Sequence, residues 1–443
     1  MTAADWPEAV AVRRVVDRRA WIKDKWQRRG GEEASFVISN AMVNVANFGF
    51  FVIVGRLFVP SSYGAITALL SIVTVANTPL NAIQAGVVHA TVLAHRAGGD
   101  ASPRRIILRF TACGVALTLL FAGASNRIDR FFSLQSVVPV LMLALWFAPS
   151  VINSALCGSL MGHFKFRAIA IANVLGALAR IVLVLVFGLC GHLFGLSGPI
   201  LATSAGITIT SLWIFIAVRN EPSWHVAAPM ELHLAQTVRA FIALAGFASF
   251  VAIDVILARH LLSADIAGNY AVASTAGKIA LFLSVAVPIV VYPHFAAHHA
   301  AGTSARHELR RALALVVGLG ALAAVVMAIL PHVVIDVLFG DQYAGAAPLL
   351  RILALEGAAM GVVGLFTYYH VAQHSLYAFV PWCGVAVVSA LTSVDHLHDH
   401  ALALLMLVSA VTVAVLMALP ALVGTPPSFA RRRHHEGSVA LEA

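Results

Sequence analysis

The sequence predicts an all-α polytopic membrane protein with about twelve transmembrane helices in two six-helix lobes. Composition is the first observation: of 443 residues, 60% are hydrophobic and only 11% are charged, and the mean hydropathy is +0.89. Soluble domains carry about 25% charged residues, so this chain has too little charge to cover a soluble surface of its size. The number of long apolar runs and a weak internal repeat are the other two observations.

Twelve runs are apolar enough to cross a membrane. Crossing the hydrocarbon core takes about 20 apolar residues, and lipid leaves no partner for unpaired backbone groups, so such runs must be helices. The second and eighth runs are longer than the bilayer requires and contain Pro79 and Pro288, so we expect them to be tilted or kinked. The runs lie at about 36–57, 64–91, 107–124, 138–160, 168–189, 198–218, 240–261, 267–294, 309–331, 346–370, 376–394 and 401–423.

The distribution of charge predicts the orientation of the chain. The net charge is +9, which by itself is compatible with a nucleic-acid partner. With the N-terminus in the cytoplasm, however, twenty-two of the twenty-nine lysines and arginines lie in inner tails, loops and helix rims. Basic residues flanking apolar spans mark the cytoplasmic side. Both termini are therefore predicted to be cytoplasmic, and no nucleic-acid partner is expected.

The charge and apolar pattern also divides the chain. Residues 1–34 mix bases with valine, isoleucine and tryptophan, which favours an amphipathic helix on the anionic inner leaflet; a disordered basic tail is the alternative. The predicted lobes are residues 35–218 and 240–423, joined by a cytoplasmic loop at 219–239. Residues 424–443 form a polar cytoplasmic tail.

A weak repeat relates the two halves. Arg56 ends the first span, and Arg259 lies 203 residues later, near the end of the seventh. The segments 94–97 (AHRA) and 297–300 (AHHA) are separated by the same interval. Each half starts on the inside, so the lobes are parallel repeats, an architecture of transporters that handle substrate at the lobe interface.

Five ionisable residues fall inside the spans: Arg180, Asp254, Lys278, Arg351 and Glu356. Each costs about 2.5–3.5 kcal/mol on insertion scales unless it faces a cavity or a partner. A tight turn joins spans seven and eight, so an Asp254–Lys278 pair is geometrically allowed, either as a structural ion pair or in coupling or substrate binding. Arg180 lies near the midplane and is expected to need a water-filled cavity or a nearby acid. Glu356 needs a partner other than Arg351.

Neutral polar side chains repeat on the first two spans with spacing i, i+4, i+7, which places each triplet on one helix face. Hydrogen bonding between neighbouring helices is one interpretation. The other is a hydrophilic cavity wall suited to sugar hydroxyls. The triplets are Asn40, Asn44 and Asn47, and Asn77, Asn81 and Gln84.

The sequence gives little sign of a metal, a cofactor or an enzyme. The segment 395–400 (DHLHDH) has side chains that suit a divalent metal, but a solvated turn is the favoured interpretation. The four cysteines have no metal-ligand or CxxC spacing, and no GxxxxGK[ST] motif is present. The outer loops leave no room for a glycosyltransferase domain. We therefore predict a non-enzyme without a cofactor, leaving Na⁺ or H⁺ coupling open.

Several segments, in order, resemble the Wzx-type oligosaccharide flippases of the multidrug/oligosaccharidyl-lipid/polysaccharide (MOP) exporter superfamily. The similar segments are 56–64 (RLFVPSSYG) with 79–84 (PLNAIQ), 158–166 (GSLMGHFKF), and 253–262 (IDVILARHLL) with 267–270 (AGNY), Lys278 and Pro293. The resemblance covers about residues 35–423.

The resemblance implies a MATE-like fold and a flippase of the bacterial plasma membrane. It would carry a polyprenyl-pyrophosphate-linked oligosaccharide, a cell-envelope polysaccharide precursor, to the outer leaflet by alternating access. Expected partners are this substrate, membrane lipids, and glycan-polymerising or glycosyltransferase machinery. Arginine and lysine suit a pyrophosphate. The expected cavity residues are Arg56, Arg180, Arg259, Lys278, Asn40, Asn44, Asn47, Asn81 and Gln84, and the expected ion-coupling residues are Asp254 and Glu356.

Two other classes remain open from the sequence. A drug or small-cation antiporter of the same MATE-like fold would use Asp254 and Glu356 as its working acids. A non-transporting membrane scaffold or a polytopic glycosyltransferase is the third hypothesis, and the short outer loops argue against the enzyme.

Overall fold

The structure is a computed structural model that describes residues 38–39, 41–96, 103–163, 165–190, 194–219, 234–394 and 398–422. Within these ranges every regular element is a helix. The predicted basic segment at 1–34, the tail at 424–443 and most of the predicted inter-lobe loop lie outside the described residues. The domain boundaries at these points therefore remain predictions.

Eight helices have both ends in the described part of the first half of the chain. Four of the six predicted spans are single helices, the third is followed by a short extra helix, and the fourth is divided in two. The helices are α1 (Ala41–Leu57), α2 (Pro60–Arg96), α3 (Pro103–Gly123), α4 (Ser125–Phe132), α5 (Val138–Ala144), α6 (Phe147–Gly162), α7 (Phe166–Leu189) and α8 (Ser197–Arg219).

The second half repeats this arrangement. Its third span is also followed by an eight-residue helix, and short 3₁₀ helices at Asp341–Ala346 and Leu376–Phe379 precede its fourth and fifth spans. The helices are α9 (Leu234–Leu261), α10 (Ala264–Ala300), α11 (Arg306–Ile329), α12 (Pro331–Leu338), α13 (Ala347–Ala372), α14 (Val380–Val394) and α15 (Asp399–Leu422).

These helices confirm the predicted fold class. In the described part of the chain, ten spans are long and apolar enough to cross a membrane. An eleventh is the pair α3 and α4, which meet at a bend of 54°. Helix α1 is apolar but shorter, and its predicted start lies outside the described residues. Large apolar side chains such as Leu189, which is 80% exposed, point outward because lipid is their solvent.

One helix of each half is much longer than its neighbours in the described part of the chain. Helices α2 and α10 each have 37 described residues and continue without a break through Pro79 and Pro288. Proline also begins α2, α3 and α12, because its missing N–H would have no helical partner at the first position. Helix α2 of the first lobe packs against α9 and α10 of the second.

The two lobes are in backbone contact between the first turns of α2 and α10. A Cβ atom on Gly64 would lie 2.9 Å from the backbone nitrogen of Gly268, and one on Gly268 would overlap the carbonyl oxygen of Pro60. Each of these glycines is the fifth residue of its helix. Any larger side chain there would separate the lobes, so the glycines permit direct backbone contact.

Candidate functional site

The second lobe contains a buried ion pair between α9 and α10. Lys278 Nζ lies 3.0 Å from Asp254 Oδ1 and 3.3 Å from Oδ2. The Ser274 hydroxyl, one turn before Lys278 on α10, donates to Asp254 Oδ2. Asp254 is fully buried, whereas the Lys278 side chain is 14% exposed. The predicted Asp254–Lys278 pair therefore forms, and both carboxylate oxygens accept hydrogen bonds.

Glu356 on α13 completes this cluster. Its side chain is buried, its Oε1 atom has no hydrogen-bond partner, and the charges of Asp254 and Lys278 act on it electrostatically. Beside Glu356, the backbones of α10 and α13 are in contact. A Cβ atom on Gly277 would lie only 2.6 Å from the Leu353 carbonyl oxygen. The partner that the sequence required for Glu356 is therefore not found among the described residues, because Lys278 is paired with Asp254 instead.

Two members of the cluster were not predicted from the sequence. Ser274 and the buried Tyr270, whose hydroxyl has no hydrogen-bond partner, lie on α10 one and two turns before Lys278. The charges of both Asp254 and Glu356 act on Tyr270. Tyr270, Ser274 and Lys278 are spaced i, i+4, i+8, and this spacing is the sequence signal that places the three side chains on one helix face.

Arg180 on α7 is a half-buried base in the described part of the first lobe. Its Nη1 donates to Asn47 Oδ1 on α1 at 3.0 Å, and its guanidinium lies 3.6 Å from the centroid of the Phe50 ring. The Nε atom is buried without a partner. The sequence left a water-filled cavity or a nearby acid open for Arg180. Among the described residues its contacts are an amide oxygen and an aromatic face, neither of which removes the positive charge, and the cavity remains a prediction.

The structure distributes the other predicted polar residues along α1 and α2. Asn44, Asn77 and Asn81 are exposed on helix surfaces. Gln84 donates from Nε2 to the Met161 sulfur at 2.8 Å. Asn40 lies outside the described residues. The triplets do not pair with each other in the hydrogen bonds described, so the cavity-wall interpretation remains a prediction.

Arg56 and Arg259 lie apart from these groups, at the end of the bundle that the charge pattern predicts to be extracytoplasmic. Arg56 of the first lobe donates to the carbonyls of Val337 and Leu338 at the end of α12. Arg259 of the second lobe donates to the carbonyls of Phe132 and Ser133 at the end of α4. We call this end of the molecule the arginine end.

Each of these arginines contacts the opposite lobe. Arg56 and Arg259, expected as cavity residues, bind the C-terminal carbonyls of the short helix in the opposite lobe, and their role in a cavity remains a prediction. A cation there also interacts favourably with the helix dipole. The two arginines related by the sequence repeat therefore make reciprocal contacts between the lobes. The short helices α4 and α12, which accept these contacts, were not predicted from the sequence.

Aromatic side chains reinforce the same contact. The Tyr63 hydroxyl on α2 donates to Thr275 Oγ1 on α10 at 3.2 Å, and the Tyr343 hydroxyl donates to the Phe58 carbonyl at 2.7 Å. The Tyr63 and Tyr343 rings meet edge to face with centroids 5.7 Å apart. The two lobes are thus joined tightly at the arginine end.

The remaining candidates lie outside this arrangement. Arg351 is exposed on α13. Residues 395–397 of the possible metal motif fall outside the described part. Among the described residues, no three His, Cys, Asp or Glu side chains form a group that could hold a metal.

The geometry matches known membrane transporters. The chain aligns with an inward-facing multidrug resistance MATE family transporter of the MOP superfamily at a TM-score of 0.68 and 16% identity, covering 86% of this chain and 93% of that one. The lipid II flippase MurJ, in an inward closed conformation, aligns at 0.64 and 13% identity, covering 87% and 86%. At these identities the likeness establishes the fold.

An outward-facing multidrug resistance MATE family transporter aligns less well, at a TM-score of 0.58 and 15% identity, covering 88% of this chain and 93% of that one. No curated protein sequence matches the chain significantly. The family model described as "Polysaccharide biosynthesis protein" matches residues 53–348, which is most of the chain and includes parts of both lobes. The chain therefore belongs to this family of polysaccharide biosynthesis proteins and has the fold of the MOP superfamily.

Proposed function

We propose that the protein is a flippase that moves a polyprenyl-pyrophosphate-linked oligosaccharide, a precursor of cell-envelope polysaccharide, to the outer leaflet by alternating access. The observation that carries this proposal is the agreement between family and fold. A polysaccharide-biosynthesis family model reaches across both lobes, and the lobes adopt a fold shared with a lipid II flippase. The family indicates the pathway, and the fold indicates transport.

The buried bases support an anionic substrate. Arg180 keeps its positive charge next to Asn47, with a buried Nε still free of hydrogen bonds, so it is the proposed pyrophosphate contact of the first lobe. Guanidinium groups bind such oxyanions with charge-assisted hydrogen bonds. Lys278 is the proposed contact of the second lobe, although it would have to release Asp254 first. Asn40, Asn44, Asn47, Asn81 and Gln84 remain the proposed wall for sugar hydroxyls.

The same proposal covers orientation, location and partners. Both termini would be cytoplasmic and the arginine end extracytoplasmic, in a bacterial plasma membrane. Asp254 and Glu356 remain the proposed ion-coupling residues. The partners would be the lipid-linked oligosaccharide, membrane lipids, and glycan-polymerising or glycosyltransferase machinery.

The proposal is tested by replacing Arg180 with alanine. In a strain depleted of the native protein, lipid-linked oligosaccharide in the outer leaflet is measured by its accessibility to an added glycan-modifying enzyme. We expect Arg180→Ala to lose this accessibility while the protein stays in the membrane at normal abundance. Arg351→Ala, which removes an exposed arginine, is the matched control and should retain activity. Full activity of Arg180→Ala would show that Arg180 is not the pyrophosphate contact.

A drug or small-cation antiporter is the second candidate, favoured by the alignment with a multidrug resistance MATE transporter and by the buried acids of the second lobe. Deletion of the protein separates the two functions. Increased drug sensitivity without accumulation of lipid-linked sugar would favour the antiporter, whereas sugar accumulation without a drug phenotype would favour the flippase.

A further inference from the structure

The buried cluster of the second lobe, defined as Asp254, Lys278, Glu356, Ser274 and Tyr270, carries an unbalanced charge. Two carboxylates and one ammonium leave one negative charge if all three groups are ionised. A buried ionised carboxylate without compensation is so costly that such groups normally neutralise. The cluster is therefore one positive charge short of neutral.

The hydrogen bonds show which carboxylate lacks that charge. Asp254 receives Lys278 Nζ on both oxygens and the Ser274 hydroxyl on Oδ2, so its ionised form is well stabilised. Glu356 is equally buried but its Oε1 has no hydrogen-bond partner. The missing charge therefore belongs on Glu356, where one proton neutralises the cluster.

A metal cation would not fit as well. The place of a cation beside Asp254 is already taken by the Lys278 ammonium, 3.0 Å from Oδ1. A sodium ion bound between the two carboxylates would lie close to that ammonium and be repelled by it. A proton bonded to Glu356 removes the negative charge without adding a second cation.

The other charged groups leave this balance unchanged. The charges that act on Glu356 are Asp254 of α9 and Lys278 of α10, and Tyr270 is the further titratable group beside them. Asp399, at the start of α15, acts on Tyr270. None of the other charged or titratable side chains of the packed elements is among the charges that act on Glu356. They are Arg239, Arg259 and His260 of α9, Asp265, Tyr292, His294, His298 and His299 of α10, Arg306, His307, Glu308, Arg310 and Arg311 of α11, His332 and Asp336 of α12, Asp341 and Tyr343 of the 3₁₀ helix before α13, Arg351, Tyr368, Tyr369 and His370 of α13, Tyr377 of the next 3₁₀ helix, and His400 of α15.

The cluster is joined to the contact between the lobes. Ser274 donates to Asp254, and the next residue, Thr275, accepts a hydrogen bond from Tyr63 of the first lobe. Helices α10 and α13 are in backbone contact at Gly277. Because they pack this tightly, a change in the charge of Glu356 between them is expected to shift their relative position. The charge on Glu356 thus acts on the helix that holds the two lobes together.

We propose that Glu356 binds the coupling proton, and that Lys278 occupies the position of a metal cation beside Asp254, so that the transporter couples to H⁺ rather than to Na⁺. This inference rests on the proposed function as a coupled transporter, and it names the ion that this function uses. The step is a proton transfer between water and the Glu356 carboxylate, with no other change in bonding.

The experiment measures ion binding without any lipid-linked sugar. The full-length protein is reconstituted in proteoliposomes on a solid-supported membrane, and the transient charge displacement is recorded after a step in pH at constant Na⁺, or a step in Na⁺ at constant pH. The wild type should respond to the pH step and not to the Na⁺ step. A response to Na⁺ alone would overturn the proposal.

Three variants make the test specific to Glu356. E356Q should lose the pH response, whereas E356D, which retains a carboxyl group, should keep it even if the amide variant folds poorly. E308Q removes an exposed acid that pairs with His298 at 3.5 Å and should behave as the wild type. A wild-type response in E356Q would overturn the assignment.

A fourth variant tests the role of the lysine. K278M removes the ammonium and leaves two buried carboxylates, so it should gain a response to Na⁺ steps. No gain would contradict the role of Lys278 as a built-in cation. A protein that keeps the pH response but fails the leaflet assay would contradict the flippase function and leave the proton site standing.

Discussion

The buried bases of the two lobes are stabilised in different ways. Lys278 is neutralised by a carboxylate, whereas Arg180 is held by an amide oxygen and an aromatic ring. Hydrogen bonding to Asn47 satisfies one donor of the guanidinium but leaves its charge intact. The first lobe therefore presents the uncompensated cation, and the second lobe presents a cluster that is one proton from neutral.

Replacing Asn47 tests how much the first lobe depends on this hydrogen bond. Asn47→Ala leaves another buried guanidinium donor without a partner, in addition to Nε. The expected loss in unfolding free energy is about 1–3 kcal/mol, measured as a lower thermal unfolding midpoint in detergent. Asn44→Ala, on an exposed face of the same helix, should leave the midpoint unchanged. Equal midpoints for both variants would contradict the structural role of Asn47.

Only one of these two sites was predictable from the sequence. Asp254 and Lys278 are 24 residues apart on helices joined by a short turn, so their depths in the bilayer were enough to predict the pair. Arg180 and Asn47 are 133 residues apart, and five helices lie between α1 and α7 in the chain. Helix order along the chain does not determine which non-sequential helices are neighbours, so the sequence could not identify Asn47 as the partner of Arg180.

Among the helices, the crossing of α10 and α13 sets the geometry of the buried cluster. Gly277 and Gly357 lie face to face, and a Cβ on either would overlap the backbone of the opposite helix. Small residues let transmembrane helices approach this closely. The apolar runs predicted both helices, but they gave no information about where the helices cross.

Alanine at this crossing should therefore be destabilising. Gly277→Ala places a methyl group 2.6 Å from the Leu353 carbonyl oxygen, and such overpacking costs about 1–3 kcal/mol. We expect a lower unfolding midpoint and, if Glu356 binds the coupling proton, a weaker pH-driven charge displacement. Gly318→Ala on α11 is the matched control, because nothing lies within 4 Å of the added methyl group. Destabilisation by the control and not by Gly277→Ala would refute the close crossing.

At the arginine end, each lobe donates hydrogen bonds from one arginine to a short helix of the other lobe. Each arginine lies near the end of the first spanning helix of one lobe, α1 or α9, and binds the end of an eight-residue helix in the other. In the proposed alternating-access cycle this end would open, so these contacts would have to break.

Removing the arginines should shift the protein toward the form that is open at this end. A hydrogen bond from a charged group contributes about 1.5–3 kcal/mol, and each 1.4 kcal/mol changes a population about tenfold. Arg56→Ala and Arg259→Ala should thus each raise the open population about tenfold or more, and the double variant should exceed both. The measurement is the maleimide labelling rate of Thr275→Cys, placed between the lobes beside Tyr63, in purified protein whose native cysteines have been replaced. Arg351→Ala, which removes an exposed arginine from α13, should label at the parental rate. If the double variant also labels at that rate, the arginines do not hold the lobes closed.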